Sequence, residues 1–254
     1  MDDISIIEYE EVDLSNSMLI VAFPTVGLIS SIAGHYIIDS LKLDSIGTIT
    51  SNQFMPATII HKSIPSPPVR IYAGKKKCGP NDSCNTLAII ISEFMPSPDI
   101  IKPLVDKILM WAEKKGCEII LSLEGTHAIG DRSKKSKVFG IGTTPEMKKT
   151  LKNFKIDQTQ EGMITGVTGV LLYQGLLNKK NVLCLLAETQ ANYPDSRAAA
   201  SLLEKLDKML PAIKIDPKPL YKAAKQIEDK ILQSIEQSKP TAPSLQPVPY
   251  SMYR

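Results

Sequence analysis

The sequence predicts an α/β fold layered around a largely parallel central sheet, and three observations carry that prediction. Short, nearly continuous apolar runs recur along the chain: "SMLIVAF" (17–23), "TLAIIIS" (86–92), "CEIILSL" (117–123) and "NVLCLLAET" (181–189). Runs of this kind are what strands buried on both faces require. Segments with helical apolar periodicity stand between them, and strands alternating with amphipathic helices place those helices on the faces of a parallel sheet.

The elements follow in order. After the strand at 17–23, "PTVG" makes a turn, with Gly27 allowing it to be tight. "LISSIAGHYIIDSL" then sets Leu28, Ile32, Tyr36 and Ile37 on one helical stripe. The stretch 46–73, rich in β-branched residues and prolines, predicts antiparallel strands at a sheet edge. The strand at 86–92 leads through "PSPD" into a helix whose face is Ile101, Leu104, Val105, Ile108 and Trp111. Pro103 falls in its first turns, where proline does least harm, and Gly116 is its C-terminal stop. The strand at 117–123 opens into a loop, "EGTHAIGDRSKKSK", followed by a short strand near "VFGIG" and a helix after Pro145. "GMITGVTGVLLYQGLLNKK" is punctuated by glycine and then helical, and it feeds the strand at 181–189. Asp195 is placed to cap a last core helix with the stripe Leu202, Leu203, Leu206 and Leu210.

Past Pro211 the character changes, giving a three-part organisation: an α/β core over 1–215, an amphipathic helix over 216–238, and a proline-rich tail over 239–254. The helix aligns Leu220, Ala224, Ile227, Ile231 and Ile235. The segment "SKPTAPSLQPVP" carries four prolines in twelve residues, so it forms neither helix nor sheet. A tail of that composition is semi-extended and reaches about 40–50 Å.

Composition narrows the function. The chain has 254 residues, 43% hydrophobic and 22% charged, enough to build a core without disulfides. Thirty basic against 27 acidic residues give a net charge of +3, too balanced to argue for nucleic acid. The basic runs at 75–77 and 132–137 read as solvated loops. No stretch approaches the roughly 20 apolar residues of a membrane span, and the acidic start "MDDISIIEYEEVD" is unlike a signal peptide, so the expectation is a cytoplasmic protein. Cys117 and Cys184 lie in apolar runs as small hydrophobes; Cys78 and Cys84 bracket "GPND", with no second pair to complete a zinc site.

Signs of catalysis are few. "AFPTVGLISS" lacks the patterns of a P-loop or a dinucleotide turn. In "LEGTHAIGD", Glu124 closes a presumed parallel strand, where α/β folds place their sites, and His127 follows it. A carboxylate beside an imidazole is a general acid/base pair, so Glu124 and His127 are the candidate ligand or catalytic site of an enzyme or binding protein acting on a small molecule. A structural role for both is the competing reading. Glu188 and Asp195 in "AETQANYPD" read as a strand end and a cap, while His35 and His61 stand alone in the sequence.

The segments "FPTVGLISSIAGHYIID" (23–39), "LEGTHA", "GMITGVTGVLL" (162–172) and "LLAETQANYPDSRAAASLLEKL" (185–206), in that order and spacing, resemble the proteasome assembly chaperone family. The similarity is to archaeal relatives of the second eukaryotic assembly chaperone. Ala22 departs from the pattern, which often has glycine before the Phe-Pro pair. The resemblance implies a fold like that of purine nucleoside phosphorylases and related hydrolases, without catalysis and without a cofactor. It implies homo-oligomers of four or five subunits that bind the 20S proteasome α-subunits without ATP, as assembly chaperone, gate-opening activator or both. It also implies a role for the closing Met252, Tyr253 and Arg254, which match a hydrophobic-Tyr-X signature. Such residues enter pockets between α-subunits, where a lysine meets the terminal carboxylate. The physics suits such a plug: tyrosine offers rigid aromatic area, proline lowers the ordering cost, and several weak tails on one assembly gain avidity.

Overall fold

A computed structural model describes residues 3–61, 63–74, 86–127, 136–189, 194–210 and 216–219, and singly 230, 233 and 236. Its centre is a nine-stranded sheet. Four strands make the parallel heart, in the order β7 (Thr86–Ser92), β2 (Ser17–Ala22), β8 (Cys117–His127) and β11 (Val182–Thr189). The expected parallel sheet is thus present, with the fold class read from the sequence. Ile20 lies between Ile89 on one side and Leu121 on the other, and Leu123 faces Leu185 across the next pair. These apolar runs are continuous because both faces are covered by helices.

Side chains alternate along each strand, so β2 sends Met18, Ile20 and Ala22 to one face and Leu19 and Val21 to the other. Helices α1 (Ile29–Leu41), α3 (Pro145–Asn153) and α5 (Ser196–Met209) cover the first face. Helices α2 (Pro98–Lys114) and α4 (Gly166–Leu177) cover the second. The two apolar clusters are the layers of a doubly wound core. Local signals end the helices as the sequence suggests. Gly116 follows α2 in the left-handed conformation at φ 76, and Asp195 accepts a 3.0 Å bond from the Ala198 amide to cap α5.

Beside β7 the sheet turns antiparallel through β6 (Val69–Gly74), β3 (Asp44–Thr50) and β1 (Ser5–Glu8). The stretch 46–73 does form antiparallel strands, but the edge itself belongs to β1, from the acidic start. Trp111 donates 2.9 Å to Glu8, and Lys115 pairs with its other oxygen at 2.5 Å, which ties that edge to the end of α2. Strands β4 (Ile59–His61) and β5 (Ile64–Ser66) form a separate hairpin. On the far side β9 (Val138–Gly142) runs antiparallel to β11, and β10 (Asp157–Gln158) lies parallel to β9. No helix among the described residues is long and apolar enough to cross a membrane.

Beyond α5 the backbone carbonyl of Asp216 accepts a bond from the Tyr36 hydroxyl of α1, and Lys218, Pro219, Lys230, Gln233 and Glu236 are helical. Met252, Tyr253 and Arg254, the Cys78–Cys84 pair and the run 75–77 lie outside the described residues.

Candidate functional site

The chain leaves β2 toward the α1 layer and leaves its neighbour β7 toward the α2 layer. In doubly wound sheets such a reversal opens a crevice at the strands' C-terminal ends, where ligands bind. The segments singled out in the sequence converge there. After β2 the backbone passes Thr25 in extended conformation, Gly27 at φ 66 and Leu28 at φ 51 before α1 begins. Glycine is needed at 27 for two reasons: the left-handed φ, and a Cβ there would meet the Thr189 hydroxyl at 2.7 Å. The Gly27 carbonyl accepts 2.9 Å from the Asp195 amide, and Asp195 in turn accepts 2.8 Å from Thr189. Gly125 lets the same loop cross β8, because any side chain there would overlap the Val26 carbonyl. The turn after β2, the end of β8 and the cap of α5 form one connected surface.

Glu124 lies just beneath that loop, 8% exposed. The strand expected to end at 123 continues to His127, since Thr189 of β11 still pairs opposite it, so Glu124 sits within β8. Its side chain points to the α4 face, where the Thr168 hydroxyl interacts with it; the Gly125 amide donates 3.1 Å to its carboxylate. Burial pushes the carboxyl up to about 7, against the lowering influence of Thr168, the Gly125 amide and Thr25. Ser122, two residues earlier on the same face, shares a 2.7 Å hydrogen bond with Thr168. Cys184 of β11 is also buried, and its thiol is raised well above the ordinary value by burial and by the nearby Glu124. His127 is exposed. Three residues from Glu124 on an extended strand, it projects from the opposite face, so the two are not brought together as an acid/base pair.

A second polar cluster had no warning in the sequence reading. Glu93, directly after β7, is 2% exposed and forms an ion pair with Arg70 of β6; His35 of α1 lies 3.1 Å from the same oxygen. The Arg70 guanidinium also donates 3.2 Å to the Pro67 carbonyl. Burial alone would raise the Glu93 carboxyl, but His35 and Arg70 together hold it below its ordinary value. His35, which stands alone in the sequence, thus has a partner supplied by the fold. The second Glu93 oxygen is buried without a hydrogen bond, as are the hydroxyls of Ser30 and Ser31 at the start of α1. A visible signal was present: an acidic residue closing the apolar run "TLAIIIS", and an arginine inside the alternating strand "VRIYAG".

Relatives share this framework. The crystal structure of Pyrococcus furiosus PbaA, described as an archaeal homolog of proteasome-assembly chaperone, superposes with TM-score 0.80 at 29% identity, covering 92% of this chain and 97% of that one. Pyrococcus furiosus PbaB, described as an archaeal proteasome activator, superposes with TM-score 0.74 at 24% identity over 93% and 100% of the two chains, and speaks to the fold. The uncharacterized protein MJ0106 of Methanocaldococcus jannaschii is 35% identical over 237 residues, 93% of each chain. Residues 19–235 match the PAC2 family, and the chain belongs to that family.

Proposed function

We propose that this chain is a homo-oligomeric, ATP-independent binding protein of the 20S proteasome, acting in its assembly or in opening its gate. In this reading Met252, Tyr253 and Arg254 dock into pockets of the α-ring. The observation that carries it is the 29% identity and TM-score of 0.80 to PbaA, a homolog of a proteasome-assembly chaperone, joined to a Met-Tyr-Arg tripeptide after a proline-rich segment. The α/β body acts as a holder and the tail as the contact. A single tripeptide binds weakly, and several tails on one assembly supply the avidity. The test is direct binding of the purified protein to 20S particles with and without residues 252–254, with peptide hydrolysis as a second readout. Unchanged binding after removal of the tripeptide overturns the tail mechanism.

Glu124 favours a second reading. A buried carboxyl raised to about 7 at the strand ends of a doubly wound sheet has the chemistry of a general acid or base for a small nucleoside-like ligand. A thermal-shift screen of metabolites on wild type and Glu124→Gln tests it: a ligand that stabilises only the wild type supports the reading, and no stabilising ligand counts against it.

A further inference from the structure

At the opposite end of the parallel strands from Glu124, the molecule holds a cavity of about 520 Å³. That lies within the size range of sites for small organic molecules, about 300–1,000 Å³. Met18 near the start of β2 and Leu183 near the start of β11 form its floor, closed by Met147 of α3 and Met209 of α5. All four side chains are buried, and Phe154, just past α3, completes the apolar wall. Methionine is flexible and polarisable, so a lining with three of them moulds to the apolar body of a ligand.

Two carboxylates complete the lining, and the fold aims both. β2 pairs with β8 at Ser17–Cys117 and next at Met18–Ile119, so Glu118 is the extra residue of a β-bulge. On a regular strand Cys117 and Ile119 would share a face. The bulge instead sets Cys117 in the α2 layer and Ile119 in the layer of α3 and α5. Glu118 is thereby re-aimed and lines the cavity beside Ile119. Glu146, in the first turn of α3, is held there by Asn181, whose amide donates 3.1 Å to its carboxylate. Thr144 donates 2.7 Å to the Asn181 side-chain oxygen and so fixes the orientation of that amide. A first-turn acid also favours the start of a helix, but Glu118 serves no helix. No basic residue lines the cavity, and neither carboxylate enters an ion pair among the described residues. Two unpaired negative charges beside an apolar floor are complementary to a cation with an apolar stem. No three metal-ligating side chains gather among the described residues, so that cation is organic. Phe154 adds an aromatic ring, a further attraction for it.

We infer that this cavity binds a small organic amine, its ammonium group facing Glu118 and Glu146 and its stem among the methionines. The site is separate from the tail and from the Glu124 crevice, so it goes beyond the proposed function and stands without it. The test titrates n-hexylamine into the full chain carrying isotope-labelled methionine methyl groups, read by NMR at neutral pH. Hexanol and hexanoate serve as the uncharged and the anionic counterparts. Hexylamine shifts the methyl signals of Met18, Met147 and Met209 saturably, binding at least about tenfold more tightly than hexanol. Hexanoate leaves the signals in place. Glu118→Gln and Glu146→Gln each weaken the amine about fivefold and leave hexanol unchanged, at unchanged circular dichroism. Added salt weakens the amine and not the alcohol, a readout that needs no variant. Methyl signals that hexylamine does not move, or moves no more readily than hexanol does, overturn the inference. Amine binding that survives both substitutions together, or that ignores salt, assigns the attraction to the apolar lining alone and overturns it as well.

Discussion

Gly125 of β8 passes so close to Val26 that a Cβ on it would overlap the Val26 carbonyl oxygen. This contact lets the turn after β2 lie directly across the end of β8. Backbone cannot retreat as a flexible side chain can, so Gly125→Ala forces the turn outward. The expected loss is about 1–3 kcal/mol, read as a lower urea midpoint at unchanged slope.

Burial of Glu124 makes stability depend on pH with a defined sign. Its folded value of about 7 lies above the ordinary 4.5, so the native state holds a proton that the unfolded chain has released in that interval. The contribution of this group is most favourable below about 4.5 and is lost as pH rises through about 7. Glu124→Gln removes the penalty of ionisation: the variant gains about 3 kcal/mol over wild type at pH 8 and nothing at pH 4. Urea unfolding at the two pH values measures it.

The Arg70–Glu93 pair is buried, and His35 shares its oxygen. Arg70→Met leaves a buried carboxylate with half its support and costs about 3–5 kcal/mol. Arg70→Met combined with Glu93→Leu costs much less than the two single changes added, which a double-mutant cycle reads as coupling. The Glu93 carboxyl is held below its ordinary value, so its contribution is present above the unfolded value and lost as pH falls through the folded one. The stability difference between wild type and Glu93→Gln therefore shrinks on acidification.

Tyr253→Ala removes the aromatic anchor of the proposed tail contact. An anchor of this type is worth about 2 kcal/mol or more, so affinity for 20S particles falls about 30-fold in a sedimentation or surface-binding assay. The urea midpoint of the body stays where it was. A shifted midpoint with intact 20S binding removes the tail from the mechanism.

Much of the fold is written in local pattern. Apolar runs identify the four parallel strands because burial on both faces excludes polar residues from them, and helical spacing identifies the five core helices. Gly116 and Asp195 mark helix ends through the chemistry of one turn, and the acidic residue that follows the apolar run of β8 is visible as Glu124. Other features arise only where distant segments meet. The ion pair of Arg70 joins a residue 23 positions away, with His35 added from α1. Local sequence shows Arg70 and Glu93 inside or beside apolar strands, but not that they pair or that His35 joins them. Strand alternation separates Glu124 from His127 despite their proximity in sequence, and the solvent-facing arc of α4 looks in sequence like any core helix. The sequence by itself determined the four parallel strands and the five core helices, since propensity, periodicity and capping act within a few residues, whereas the edge strand β1 and the extension of β8 to His127 depend on their pairing partners. Only the tertiary structure decided which polar groups share a buried site and which apolar face is left uncovered, because desolvation and pairing depend on neighbours brought together by the sheet.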